Sequence, residues 1–374
     1  MVRMLTEESA AGARPASAAA ARAALLGACA AVLLAGCATS SYVLQAAGGQ
    51  FAVMHERVAI AEVVADPKTP QEVRRQLEQV QAARDFASRE LGLPDNASYR
   101  SYADIGRPFV VWNVVAAPEF SVTPEHWCFP VAGCVSYRGY FHEQAAHAFA
   151  YQMRTRGLDV FVGGVPAYST LGKFADPVLS SMLRYGDDGL AATMFHELAH
   201  QLLYLKDDSA FNEAFATAVE DAGLERWITY QGGGMRIREY RDDQEREAVA
   251  VRMFAATRTQ LAALYATHLP AAEMRARKHE LLARLVAEIR ALEYREKVTY
   301  PLYDQWIAQG LNNAQLASVA TYYECVPGFQ RLLAEEGNDL PRFYTAAREL
   351  SKLPRAQRHA RLCAEPEPGE QGTR

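Results

Sequence analysis

One short run limits what this chain can be: Met194-Phe195-His196-Glu197-Leu198-Ala199-His200-Gln201. It sets an HExxH motif inside apolar residues. On a helix, residues four apart share a face, so His196 and His200 can offer two imidazole nitrogens to one divalent ion. Glu197 follows the first histidine, close enough to reach a water on that ion without ligating it. Zinc held in this way keeps an open position and lowers the pKa of its water to roughly 7. Phe195, Leu198, Ala199, Leu202 and Leu203 make the helix apolar nearly all round. Two histidines and a glutamate there are buried, and burial without partners is costly. A metal removes that cost. The opposing reading, a solvated polar face on a helix pair, leaves it in place.

Hydrolytic zinc takes three protein ligands and a water. The next helix supplies Phe211-Asn212-Glu213-Ala214-Phe215-Ala216 and, further on, Glu220. If Lys206-Asp207-Asp208 lets the two helices fold back, Glu213 comes over the ion as the third ligand. Glu220 lies two turns along the same face and can accept the outer N–H of a ligand imidazole, fixing its tautomer. Asn212 is expected beside it, behind the ligands.

The net charge of −5 and pI of about 6.0 give no basic footprint for nucleic acid. Nothing in the sequence asks for an organic cofactor. The start of the chain is different. Arg22 precedes the apolar run Ala23–Leu34, which is too short to span a bilayer and suits a signal-peptide core. It ends in Leu34-Ala35-Gly36-Cys37, which resembles the lipobox of bacterial lipoproteins. That resemblance implies cleavage before Cys37, lipidation of Cys37 and a membrane anchor. Ala38 after the cysteine implies the outer membrane, facing the periplasm. A short buried helix with an unrelated cysteine is the bland alternative. The expected organisation is a leader at 1–36, one metallopeptidase domain at 37–350 and a partly disordered tail at 351–374. Within the domain, 37–186 is expected as an α+β part and 187–350 as a helical part holding the metal site.

Along the chain, Thr69-Pro70-Gln71-Glu72 reads as a capping box opening a helix to Leu91-Gly92. Phe109–Val115, Phe120–Val122 and Val160–Val162 read as strands, and Phe129–Val135 with Tyr137–Phe141 as a hairpin around Gly133. Helices are expected over 145–155, 187–204 and 209–222, the last ended by Gly223. Two long charged helices, 236–264 and 271–292, read as an antiparallel pair. One more runs from Asn312 through Leu333, and Pro341–Leu353 is the last. Beyond Cys29 in the leader and Cys37, four cysteines remain. Cys128 and Cys134 bracket a short segment, so a local disulfide is expected. Cys325 and Cys363 are left open between free and paired.

HELAH followed by FNEAFA and Glu220 resembles the HExxH…NExFA…E pattern of gluzincin aminopeptidases, with a shorter spacer. More of the chain resembles the bacterial putative aminopeptidase lipoprotein family. The stretches that carry this include Arg84-Asp85-Phe86-Ala87, Leu91-Gly92-Leu93-Pro94-Asp95-Asn96, Trp112-Asn113-Val114, Trp127-Cys128-Phe129-Pro130 and Tyr137-Arg138-Gly139-Tyr140-Phe141. Ala167-Tyr168-Ser169-Thr170-Leu171-Gly172 and Asn312-Asn313-Ala314 extend it. The resemblance implies an α+β, zincin-like fold, one Zn²⁺ per chain and peptide substrates. In such a site Glu197 takes the proton of the water and passes it to the leaving amine. By the same resemblance a tyrosine steadies the oxyanion. Tyr322 is the first candidate, then Tyr323 and Tyr303, each with core packing as the alternative. An edge strand at Val165–Thr170 is expected to take substrate backbone, with a plain turn as the alternative. Glu119, Glu143, Asp176 and Glu220 are candidates for anchoring a substrate ammonium. Two other readings stay open: a lipid-anchored envelope interaction protein with a zinc site, and a periplasmic endopeptidase.

Overall fold

The computed structural model describes residues 42–129, 133–298 and 303–363. The expected leader, Cys37 and the end of the tail therefore lie outside the described residues. Residues up to Gln50 make one unit and those from Phe51 another. The first described helix, α1 (42–55), begins in the former. Everything below concerns the second unit. Among the described residues no helix is long and apolar enough to cross a membrane.

The architecture is α+β, as expected. Its main sheet has the order β6-β3-β7, with β3 (Val111–Pro118) between β6 (Arg138–Tyr140) and β7 (Leu158–Val165), all antiparallel. β3 is apolar on both faces because both are covered. On one face Val115 and Phe161 pack with Ala314 of α10 (Asn313–Tyr323). α4 (Glu143–Thr155) also packs on β3 and β7. Since β3 occupies its other side, β7 is an edge strand. A smaller sheet joins β1 (Val58–Ala59), β2 (Ser101–Ala103) and β8 (Val178–Leu179).

The cysteine hairpin exists with different arms from those expected. β4 (Trp127–Phe129) pairs with β5 (Gly133–Val135), Cys128 faces Cys134, and the two form a disulfide. The 138–140 stretch pairs with β3 instead. Phe120 and Val122 form no strand and pack into a second core with Phe254, Leu261 and Leu285.

Three helix boundaries differ for identifiable reasons. α3 (Gln71–Arg89) has Pro70 at its N-cap and no capping box, because the Thr69 hydroxyl donates to Val63 O at 2.6 Å. α6 (Ser209–Tyr230) runs straight through Gly223. A Cβ on Gly223 would lie 2.8 Å from Leu91 Cδ1 and 3.1 Å from Phe195 Cδ2, so this glycine permits close packing rather than ending the helix. The stretch from Asn312 is two helices: α10, opened by a capping box on Asn312 and Gln315, and α11 (Val326–Glu335), with Pro327 in its first turn. The break falls at Cys325, which is joined to Cys363.

That second disulfide ties the last helix, α13 (Arg355–Leu362), to α11, so packed structure continues into the stretch expected as tail. Asp208, fully buried at the N-cap of α6, accepts from Arg358 Nε at 2.6 Å and pairs with His359 Nε2 at 2.7 Å. The bridge closes a loop of sequence separation 38, and a loop of that size predicts about 3–4 kcal/mol of stabilisation. Replacing Cys363 with serine should lower the urea-unfolding free energy by that amount. A change under about 1 kcal/mol would show that the Asp208 contacts alone hold α13.

Candidate metal centre

α5 (Gly186–Leu202) and α6 carry the residues that matter. α5 stops at Leu203, whose backbone turns extended, and Asp207 takes a left-handed φ of 68° in the return. Asn212 closes this turn. Its side chain accepts from Leu205 N at 2.7 Å and donates to Leu205 O at 2.7 Å. It therefore braces the α5–α6 connection rather than touching an imidazole.

The fold-back brings His196, His200 and Glu213 together. His196 Nε2 lies 3.2 Å from His200 Nε2 and 3.3 Å from Glu213 Oε2, and His200 Nε2 lies 3.6 Å from Glu213 Oε2. Four ligands about 2.0–2.1 Å from one tetrahedral ion stand roughly 3.3 Å apart. The spacing therefore suits a single small cation. On the other side of the ring, His196 Nδ1 lies 2.9 Å from Glu220 Oε2. With the proton on Nδ1 donated to Glu220, the Nε2 lone pair faces the cluster. His200 Nδ1 is buried and has no hydrogen-bond partner among the described residues. A ring that carries its proton there turns a second lone pair inward. Two lone pairs and a carboxylate at these distances repel one another unless a positive charge sits between them. The residues thus fit a metal.

By themselves, the imidazoles and the carboxylates shift one another instead. Burial alone would push His196 down, but hydrogen bonds to Glu213 and Glu220 overcome it and hold the imidazole well above the ordinary histidine value. Burial would raise Glu213, but the His200 and His196 rings hold it down to about 2. Glu197 is raised, first by burial. A second group, Cys325, His359 and Cys363, also gathers, but its cysteines are joined to each other and offer no thiolate.

Of the tyrosines, Tyr322 is half-buried in the field of Glu213 and Glu197 and also lines a neighbouring cleft, whose walls include none of His196, His200 and Glu213. Tyr323 instead donates to Glu247 at 2.7 Å, and Tyr303 packs on Phe254 and Trp306. Two tyrosines not expected from sequence stand close by. Tyr204 sets its ring edge-on to His200, with centroids 6.3 Å apart, and feels the charge of Glu213. Tyr99 is buried with a left-handed φ of 64° and feels the charges of Glu197 and Asp176. Tertiary contact alone brings in Tyr99, whereas Tyr204 follows His200 by four residues and could have been read from that spacing.

The acidic candidates separate. Glu119 pairs with Arg275, Asp176 accepts from the Thr170 backbone and hydroxyl, and Glu220 is taken by His196. Glu143 lines the cleft, 3.7 Å from His147. The cleft has a volume of about 980 Å³ and is walled by Phe161–Val165 of β7, Trp112, Trp306 and Tyr322. Edge-strand character thus belongs to β7 and stops at Val165. Residues 166–170 leave it, and Thr170 is wrapped onto Asp176.

The model of the family described as "Putative aminopeptidase" matches residues 41–362. No curated protein and no solved structure matches the chain.

Behind Glu220, burial and then the Glu220 charge push Asp221 up to about 7, although it accepts from Tyr240 at 3.0 Å and from Gln244 at 3.0 Å. The folded state therefore holds this proton more tightly than the unfolded chain, whose Asp titrates near 3.9. Between about pH 4 and 7 the native state binds more protons, so this group's contribution to stability falls as pH rises. Asp221→Asn should flatten that fall. Urea midpoints at pH 5 and pH 8 should differ less in the variant than in the wild type, and an unchanged difference would contradict the assignment.

Proposed function

The chain belongs to the family described as "Putative aminopeptidase", and from that premise we propose that it is a zinc-dependent peptidase that removes N-terminal residues from short peptides. The observation that carries this is the convergence of His196, His200 and Glu213 at 3.2–3.6 Å, with Glu197 next to the first ligand in sequence. The fold read this way is zincin-like, with one zinc per chain. The lipobox at Leu34–Cys37 adds an outer-membrane lipid anchor on Cys37 and a site facing the periplasm.

When bound, the zinc supplies a polarised carbonyl and a water of lowered pKa. The rest is the work of the chain. Glu220 accepts the Nδ1 proton of His196 and fixes which nitrogen faces inward. Glu197 accepts the water's proton. Its raised affinity for a proton suits it to hold that proton and return it to the leaving amine. The Tyr322 phenol stays protonated at neutral pH, because burial pushes it up, so it can donate to the developing oxyanion. The unpaired edge of β7 offers backbone donors and acceptors to an extended peptide. Glu143 is the acidic side chain in the cleft that could meet the substrate ammonium.

Three variants test this reading on an aminoacyl coumarin substrate. Glu197→Gln should retain stoichiometric zinc and lose about 10²–10⁴-fold in kcat. Equal turnover by wild type and variant would defeat the mechanism. Glu213→Ala should lose zinc in a competition against a chelator, while Glu197→Gln does not. Tyr322→Phe should lower kcat by about 10²–10³-fold with little change in KM. An N-terminally blocked peptide cut as fast as the free one would make the protein an endopeptidase. Tight zinc with no hydrolysis of either would favour a binding role in the envelope.

A further inference from the structure

The cleft contains a guanidinium that the proposed chemistry does not use. Arg184 belongs to the 3₁₀ turn Leu183–Tyr185, immediately before α5. Its Cζ lies 4.2 Å from the centroid of the Phe109 ring and 4.9 Å from that of Tyr185, and its Nη2 donates to the Tyr185 hydroxyl at 2.7 Å. Arg184 and Tyr185 are both exposed, and the two aromatic rings narrow the range of the guanidinium, which lowers the entropy cost of binding. Phe109 is itself fixed, because it packs on Gly164 where a Cβ would come within 2.3 Å of its ring. Arg184 makes no ion pair with a carboxylate among the described residues, whereas Arg75, Arg100, Arg236 and Arg275 each do. Apart from its bond to Tyr185, Arg184 has no hydrogen-bond partner among the described residues, and with Arg154 it lines the cleft.

We infer that Arg184 is a carboxylate receptor that sets substrate length: it takes the C-terminal carboxylate of a short peptide whose N-terminal end lies at the metal centre. This rests on the peptidase reading above. A planar fork held against aromatic faces matches a carboxylate in a bidentate way. The reach follows from the helix. Gly186 opens α5 and His196 lies ten residues on, a rise of roughly 15 Å. An extended peptide covers about 3.4 Å per residue, so that span takes about four or five residues. The cleft volume of about 980 Å³ is at the upper end of pockets for small ligands and suits a peptide of that size, not a protein segment.

The test separates this from the peptidase reading. Calorimetry on zinc-loaded Glu197→Gln protein measures binding without needing hydrolysis. The probes are alanine peptides of three, five and ten residues, each as free acid and as C-terminal amide. The five-residue acid should bind about tenfold more tightly than its amide. The three- and ten-residue pairs should differ by less than about twofold. Adding Arg184→Gln should remove the acid preference of the five-residue pair, and Arg184→Lys should leave part of it. A five-residue amide ending in glutamate that binds like the acid would assign the same receptor to an acidic side chain. Equal binding of acid and amide in the Arg184 protein, or a preference that survives Arg184→Gln, would overturn the proposal. Failure of the wild type to turn over the coumarin substrate would instead defeat the peptidase reading and leave these binding ratios as readable as before.

Discussion

Phe195 of α5 lies against Gly223 of α6, where a Cβ would approach its ring to 3.1 Å. That contact lets two helices come close enough for ionisable groups on both to meet in a buried space. Leu198, Ala199, Phe211, Ala214 and Phe215 fill the surroundings, all essentially inaccessible to water. A polar cluster in such a place must be satisfied internally or by a ligand. Glu220 satisfies one side of His196, Asn212 secures the turn, and the inward-facing donors are left for a cation. A larger residue at 223 would move Glu213 and Glu220 away from the histidines together, since both ride on α6.

Much of the site could be read from the chain because its parts are close in sequence. His196, Glu197 and His200 lie within one turn of helix, and Glu213 is only one connection away. The ring of His196 meets Glu220 at a sequence separation of 24. Local periodicity and a short turn fix contacts of that range. What could not be read depends on distant packing. Gly223 looks like a helix stop until Leu91 and Phe195 press against it. Thr69 looks like a cap until its hydroxyl finds Val63 O. The break in 312–333 did carry a local signal, Pro327-Gly328, which the apolar periodicity on both sides masks. The hairpin bridge between Cys128 and Cys134 was legible from spacing, but its register was not, because 138–140 had a better partner in β3. Tyr99 reaches the site region only through tertiary structure, whereas Tyr204 and Arg184 flank the HExxH helix in sequence.

The acidic side chains show how environment divides chemically similar groups. Glu213 is held down to about 2 by the histidines, whereas Asp221, behind Glu220 on the same helix, is pushed up to about 7. The first is poised to bear charge beside a cation. The second keeps a proton near neutrality first because it is desolvated and then because Glu220 stands beside it. Glu247, half-buried, is raised in the same region, first by desolvation, and is bonded by Tyr323. The His196, His200 and Glu213 cluster facing one way is thus backed by carboxylates facing the other, Asp221 and Glu247, each with its own hydrogen-bond partners.

The clamp on Asp208 has a consequence for how the molecule is made. Arg358 and His359, which seal the N-cap of α6, lie 150 and 151 residues later in the chain. At synthesis rates of roughly 5–20 residues per second they follow Asp208 by about ten to thirty seconds. During that interval Asp208 lacks both of these partners, and the helix that carries Glu213 has its final cap only in part. The cap on the helix that carries Glu213 thus depends on a segment near the far end of the described chain, although the HExxH motif lies near the middle of the sequence.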